Sequence, residues 1–255
     1  MSTQTDFPGT SSNGARLTPQ RFWTLLGADT RNAGRDPTLI FGMALAVLPT
    51  ILFPAFRAPI NAWAMGMFGI PDLVLWASPM LLVLPAILIG WITGFLFLED
   101  RDEATLMAIE ITPFGKGAYL QYRTIATVLV TFLISVVNGF VFTPHLGIFL
   151  ILFMAILVAL FSISIAFIFP ALARNKVEGL ALTKVVNLFS MAPLLALIPS
   201  FWRYLAAPLP SFWIGELINP AGIPGLPLWA ILCAGLVTHL FMLVWLYRLT
   251  LRRTG

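Results

Sequence analysis

Charge is what this sequence lacks most. Of 255 residues, 15 are Lys or Arg and 11 are Asp or Glu, so only 10% are charged, against roughly 25% in soluble domains. With 59% of its residues hydrophobic, the chain reads as an integral membrane protein. Its net charge of +4 is no nucleic-acid signal, because the basic residues are spread over loops rather than gathered in a patch. A single cysteine, Cys233, lies in an apolar run and excludes an intrachain disulfide. The two histidines, His145 and His239, are far apart, and no His-Glu-x-x-His motif occurs. A phosphate-binding Gly-x-x-x-x-Gly-Lys-Ser/Thr loop is missing too, since Gly115-Lys116 has no upstream glycine and is followed by Gly117. No apolar core follows a basic start in the first thirty residues, so no signal peptide is expected. The sequence offers no cofactor site, metal constellation or chemical energy source of its own.

What the chain has is apolar length. Residues 1–17, rich in Ser, Thr, Gly and Asn, read as a disordered tail. Thr18-Pro19 then caps an amphipathic helix to Arg31, with Phe22, Leu25 and Leu26 on one face and Trp23 placed for a membrane interface. Arg35-Asp36-Pro37 turns the chain into the membrane. Six apolar segments follow, at 39–56, 73–98, 125–142, 146–172, about 179–198 and about 228–249. The first has 18 residues, or about 27 Å of helix, just enough to cross a bilayer. The fold class is therefore all-α, a six-span membrane domain over 18–255. Prolines 49, 54, 79, 85 and 193 lie inside spans and should kink them.

Charge is concentrated once. Glu99, Asp100, Asp102, Glu103 and Glu110, five of the eleven acids, fall within twelve positions between the second and third spans. Such a cluster must face water. Within it Leu106, Ile109 and Pro113 recur at helical spacing, and Thr112-Pro113 reads as an N-cap with a first-turn proline. A short amphipathic helix at the membrane surface is expected. With both termini inside, thirteen basic residues are cytoplasmic and only Arg57 and Arg203 are outside, which puts the acidic loop in the cytoplasm.

Two further stretches matter. In Ala173-Arg174-Asn175-Lys176-Val177-Glu178-Gly179, Arg174 and Glu178 are four apart and could pair along a helix, while Lys184 points to another face. Ordinary positive-inside anchoring, with Lys184 reaching to the surface, is the simpler account of that stretch. Residues 199–227 hold six of the nineteen prolines together with Phe201, Trp202, Tyr204, Phe212 and Trp213. They suit two short helices dipping into the outer leaflet before the last span. Arg203 and Glu216 there are expected to face water rather than line an exit path. His239, inside the last span, reads as a packing residue, with a proton relay as the alternative.

The acidic segment resembles the cytoplasmic coupling segment of type-2 ABC exporter permeases. Asp100, Arg101, Asp102, Glu103, Thr105, Leu106, Thr112 and Pro113 match its pattern, while Ala104 replaces the usual glycine and Glu110 a usual apolar residue. Arg35-Asp36-Pro37, Asn175-Lys176-Val177-Glu178-Gly179 and the broken helices before the last span are similar as well, most of all to actinobacterial permeases described as fluoroquinolone or multidrug exporters. The resemblance implies a dimer of permease subunits, homo- or heterodimeric, in a bacterial inner membrane. Two ATPase subunits, carrying ATP and Mg, would dock beneath it. The ATPase contact would be Asp100 to Glu103, Thr105, Leu106, Ile109, Thr112 and Pro113, aided by Arg174, Lys176, Glu178 and Lys184. Closing of the ATPase dimer would push on the coupling helix. The rival readings are an intramembrane enzyme using the 99–103 carboxylates and an ion-coupled carrier. The lack of acids within the spans argues against the carrier.

Overall fold

The computed structural model describes residues 18–33, 37–102, 115–220 and 222–254. The expected disordered tail and most of the expected coupling helix, with Glu103, Thr105, Leu106, Ile109, Thr112 and Pro113, lie outside the described residues. The described elements are α1 (Pro19–Ala33), α2 (Pro37–Phe68), α3 (Leu73–Asp102), α4 (Gly115–Phe142), α5 (Ile148–Leu172) and α6 (Lys176–Ser190). Two short 3-10 helices (Ala192–Leu197 and Phe201–Ala206), α7 (Pro210–Ile218) and α8 (Leu228–Thr254) complete the order. Six helical stretches are long and apolar enough to cross a membrane: Ile40–Phe68, Leu73–Asp102, Gly117–Phe142, Ile148–Leu172, Lys176–Leu197 and Leu228–Thr250. The all-α, six-span architecture read from the sequence is the one found.

The most apolar span sits at the centre. α5, whose only polar side chains are Ser162 and Ser164, packs on α3, α4 and α8 and buries most of its length. A helix apolar all round is buried by whatever surrounds it. Its closest approach, to α3, depends on glycine. A Cβ at Gly90 would lie 2.7 Å from the Ser162 carbonyl oxygen, and one at Gly94 would lie 2.3 Å from the Phe169 ring. Lipid is as apolar as leucine, so helices in a bilayer gain from such close packing and from interhelical hydrogen bonds rather than from leaving water. Those bonds come from one face of α4, where Thr127 shares a hydrogen bond with Thr93 of α3 (2.8 Å), Thr131 donates to Ser162 of α5 (3.0 Å) and Asn138 accepts from Thr50 of α2. His239 is buried against the edge of Phe161 and its Nδ1 lies 2.7 Å from the Gly235 carbonyl oxygen, the packing role expected of it.

The first span runs longer than its apolar core suggested. α2 continues past Phe56 through Pro59 to Phe68, because Ala, Met and Trp carry the helix on to Gly69, where the backbone turns at φ 68°. The extra turns bring Arg57 and Asn61 to Asp72. Asp72 accepts from both side chains and from the Leu75 backbone, while Asn61 accepts from the Leu73 backbone. Partial burial alone would raise the Asp72 pKa, but the hydrogen bonds from Arg57, Leu75 and Asn61 outweigh it and hold the group below its ordinary value.

The segment before the last span is more deeply built in than its composition implied. Phe201 and Trp202 are 82% and 73% exposed, as interfacial aromatics should be, but all nine residues of α7, Phe212 and Trp213 included, are buried. Arg203 and Glu216 do not face water. They form a buried ion pair, with Arg203 Nε 2.6 Å from Glu216 Oε1. The guanidinium also donates to the Tyr204 hydroxyl (3.1 Å) and the Pro224 carbonyl (2.9 Å). Tyr204 in turn donates to Glu216 and accepts from the Leu226 backbone. A buried ion pair is tolerated only when its remaining donors and acceptors are satisfied in this way.

Candidate functional site

The charged end of the bundle is where α3 stops and α6 starts. α3 carries its apolar pattern to Leu98 and ends in Glu99-Asp100-Arg101-Asp102. α5 stops at Leu172, the chain bends at Arg174 and Asn175, and α6 begins at Lys176. Asn175 is the N-cap of α6, its side chain accepting from the Glu178 backbone at 2.9 Å. Glu178, three residues on, reaches back to accept from the Arg174 backbone at 2.7 Å. This variant of a capping box fixes the turn and sets an acid at the positive end of the helix. The side-chain pair that the spacing of Arg174 and Glu178 allowed is not formed. Arg174 precedes the helix, and Glu178 is taken by its backbone.

The two charged stretches meet. Arg101 donates to the Ala173 carbonyl at 2.8 Å and the Pro170 carbonyl at 3.4 Å, placing a cation at the negative end of α5. Asp102 accepts from the Lys176 backbone at 3.1 Å, and the Lys176 ammonium lies 2.7 Å from Glu99. Asp100 turns the other way and accepts from the Tyr119 hydroxyl on α4, which itself accepts from Arg123 Nε at 2.8 Å. Below these contacts α6 presses on α3 at Gly179, where a Cβ would sit 2.6 Å from Leu98 and 3.2 Å from Phe95. Asp100, Arg101, Asp102, Lys176 and Glu178 thus belong to one knot joining the ends of α3, α4, α5 and α6, with Arg174 held in it by its backbone. Lys184, two turns into α6, is exposed and stands apart.

Sequence reasoning passed over Tyr119 and Arg123, which lie just inside the third span, and the carbonyls that Arg101 uses. The spacing Asn175-x-x-Glu178 was the one legible signal, since it is a capping pattern. Chemically the knot is closed. Glu99, Asp100 and Asp102 each hold a protein donor, and no group of three or more His, Cys, Asp or Glu among the described residues could hold a metal ion.

Comparison with known proteins agrees with this architecture. The family model described as fluoroquinolones export permease protein Rv2686c-like matches residues 29–247. Two curated relatives, fluoroquinolones export permease proteins MT2760 and Rv2686c of Mycobacterium tuberculosis strains CDC 1551 and H37Rv, are each 29% identical over 231 residues, covering 86% of this chain and 90% of theirs. No solved structure matches the chain. The match spans five of the six membrane helices completely and the sixth nearly to its end. The chain is thus a transport permease and belongs to the Rv2686c-like family of fluoroquinolone export permease proteins.

Proposed function

We propose that this permease is the membrane subunit of an ATP-driven exporter of drug-like, amphipathic compounds, fluoroquinolones among them, energised by a separate ATPase. Two copies of the ATPase would dock at the charged end, which lies in the cytoplasm of a bacterial cell, with both termini on that side. Two permease subunits would form the path between them. The observation that carries the reading is the knot. The 103–113 segment leaves α3 directly after Asp102, and Asp102, Arg101 and Asp100 are bonded to α6, α5 and α4. A push delivered to that segment reaches four spans together and favours a rigid-body response over local bending.

The proposed contact residues Leu106 and Ile109, at helical spacing in the sequence, would supply an apolar stripe suited to a groove on a partner. Leu106→Asp or Ile109→Asp buries an unpaired charge there and should abolish export and permease-stimulated ATP hydrolysis together, with membrane insertion intact. Asp102→Asn keeps an acceptor for Lys176 and should be mild. An enzyme built on the carboxylates would show the opposite ranking. If Asp102→Asn is inactive while both aspartate insertions still export, the coupling reading is wrong.

A further inference from the structure

Between α5, α6, α7 and α8 lies a groove of about 270 Å³. Its floor is Phe161, Ile165, Val186 and Leu246, and its rim includes Leu172 and Trp245, both well exposed. Ser211 is the one polar residue in the lining, and its hydroxyl is already used, donating to the Phe189 carbonyl at 3.1 Å. A hollow with nothing to hold water stays dry, and left empty it forfeits packing on every side. In a membrane-spanning protein the groove opens onto hydrocarbon, so an alkyl chain is its natural filling.

The register of the charges says which kind of molecule carries that chain. Along α8, Arg252 follows Trp245 by seven residues, two turns on the same face and about 10 Å nearer the charged end. Arg248 lies between them, and Arg174 follows Leu172 by two residues across the groove. All three arginines are exposed. An apolar slot topped by arginines where the spans leave the membrane matches an acyl chain below an anionic phosphate. A second copy of this chain could fill the slot, but two such faces in register would bring arginines against arginines.

We propose that this groove is a binding site for an anionic phospholipid, with one acyl chain against Phe161, Ile165 and Val186 and the phosphate held by Arg248, Arg252 and Arg174. Bound lipid bridges α5, α6 and α8 beside the knot and so braces the helices that the knot joins. The proposal concerns lipid alone and stands independently of which compound is exported.

The test uses the full chain in detergent with dioleoylphosphatidylglycerol or dioleoylphosphatidylcholine as probe, read by native mass spectrometry and thermal unfolding. Phosphatidylglycerol should be retained roughly tenfold more strongly than phosphatidylcholine, which has the same phosphate but adds a choline cation that the arginines repel, and should raise the Tm. Arg248→Gln with Arg252→Gln, both exposed changes compatible with folding, should erase that preference. Val186→Trp, which fills the slot, should abolish retention of both lipids. Equal retention of the two lipids by the wild-type chain, or an unchanged preference in the arginine double variant, overturns the proposal. So does a Val186→Trp protein that keeps its lipid but loses self-association, since the groove would then be an interface between copies.

Discussion

Removing the Glu216 carboxylate strands a cation in a place it cannot leave. Arg203 and Glu216 side chains are 4% and 5% exposed, and the guanidinium is pinned between α7, the second 3-10 helix and the 219–227 loop. Glu216→Leu deletes the one counter-charge among the described residues and leaves the Tyr204 hydroxyl and the Pro224 and Ile198 carbonyls as its partners. Breaking a buried pair from one side typically costs about 3–5 kcal/mol, which raises the local opening equilibrium by about two to nearly four orders of magnitude. Glu216→Gln keeps an acceptor for Nε and should cost less, about 1.5–3 kcal/mol, the worth of a charged hydrogen bond. Hydrogen–deuterium exchange is the fitting assay, with peptides covering residues 199–220 exchanging faster in the order Gln, then Leu, while the centre of α5 is unchanged. Adding Arg203→Met to Glu216→Leu should recover most of the protection, because an apolar pair of similar volume needs no counter-charge. Additive damage in that double variant, or no faster exchange in Glu216→Leu, would refute the argument that the pair acts as a unit.

Three other outcomes follow from particular contacts. Gly90→Ala drives a methyl group into the Ser162 carbonyl and should cost about 1–3 kcal/mol, seen as a lower Tm in detergent, whereas Gly117→Ala, which meets nothing within 4 Å, should not. Asp72 has a folded pKa below its ordinary value, so its contribution to stability is full above the unfolded value near about 3.9 and is lost as pH falls through the lower folded value. Asp72→Asn should accordingly lower the Tm at neutral pH and flatten the acid limb of a Tm-against-pH curve, so that the variant and the wild-type chain converge in acid. Arg101→Gln removes the cation from the end of α5 and should slow export while the amounts inserted in the membrane stay normal, as radiolabelled drug efflux would measure.

Much of the fold was legible because a bilayer imposes strict rules on a chain. Backbone polar groups in hydrocarbon must be satisfied within the segment, so apolar length alone specifies a helix and the six spans could be counted. The acidic cluster could be placed in water for the same reason. Pairings between segments were not legible. Nothing in Glu99 to Asp102 says that its partners are Lys176, 74 residues beyond Asp102, and the carbonyls of Pro170 and Ala173. The role of Tyr119 and Arg123 appears only when α4 is laid beside α3.

Composition and periodicity, then, determined the class, the spans and the interfacial aromatics at Phe201 and Trp202. Tertiary structure decided which charges are buried. Arg203 and Glu216 looked like water-facing residues because isolated charges are costly in an apolar setting, and only their mutual approach across 13 residues makes burial possible. It also brought Arg57 and Asn61 of α2 to Asp72 and decided which faces of α5, α6 and α8 remain open as a groove. The physical reason is the same throughout: hydrophobicity is a property of each segment, whereas satisfaction of a charge or filling of a cavity belongs to groups that only the fold brings together.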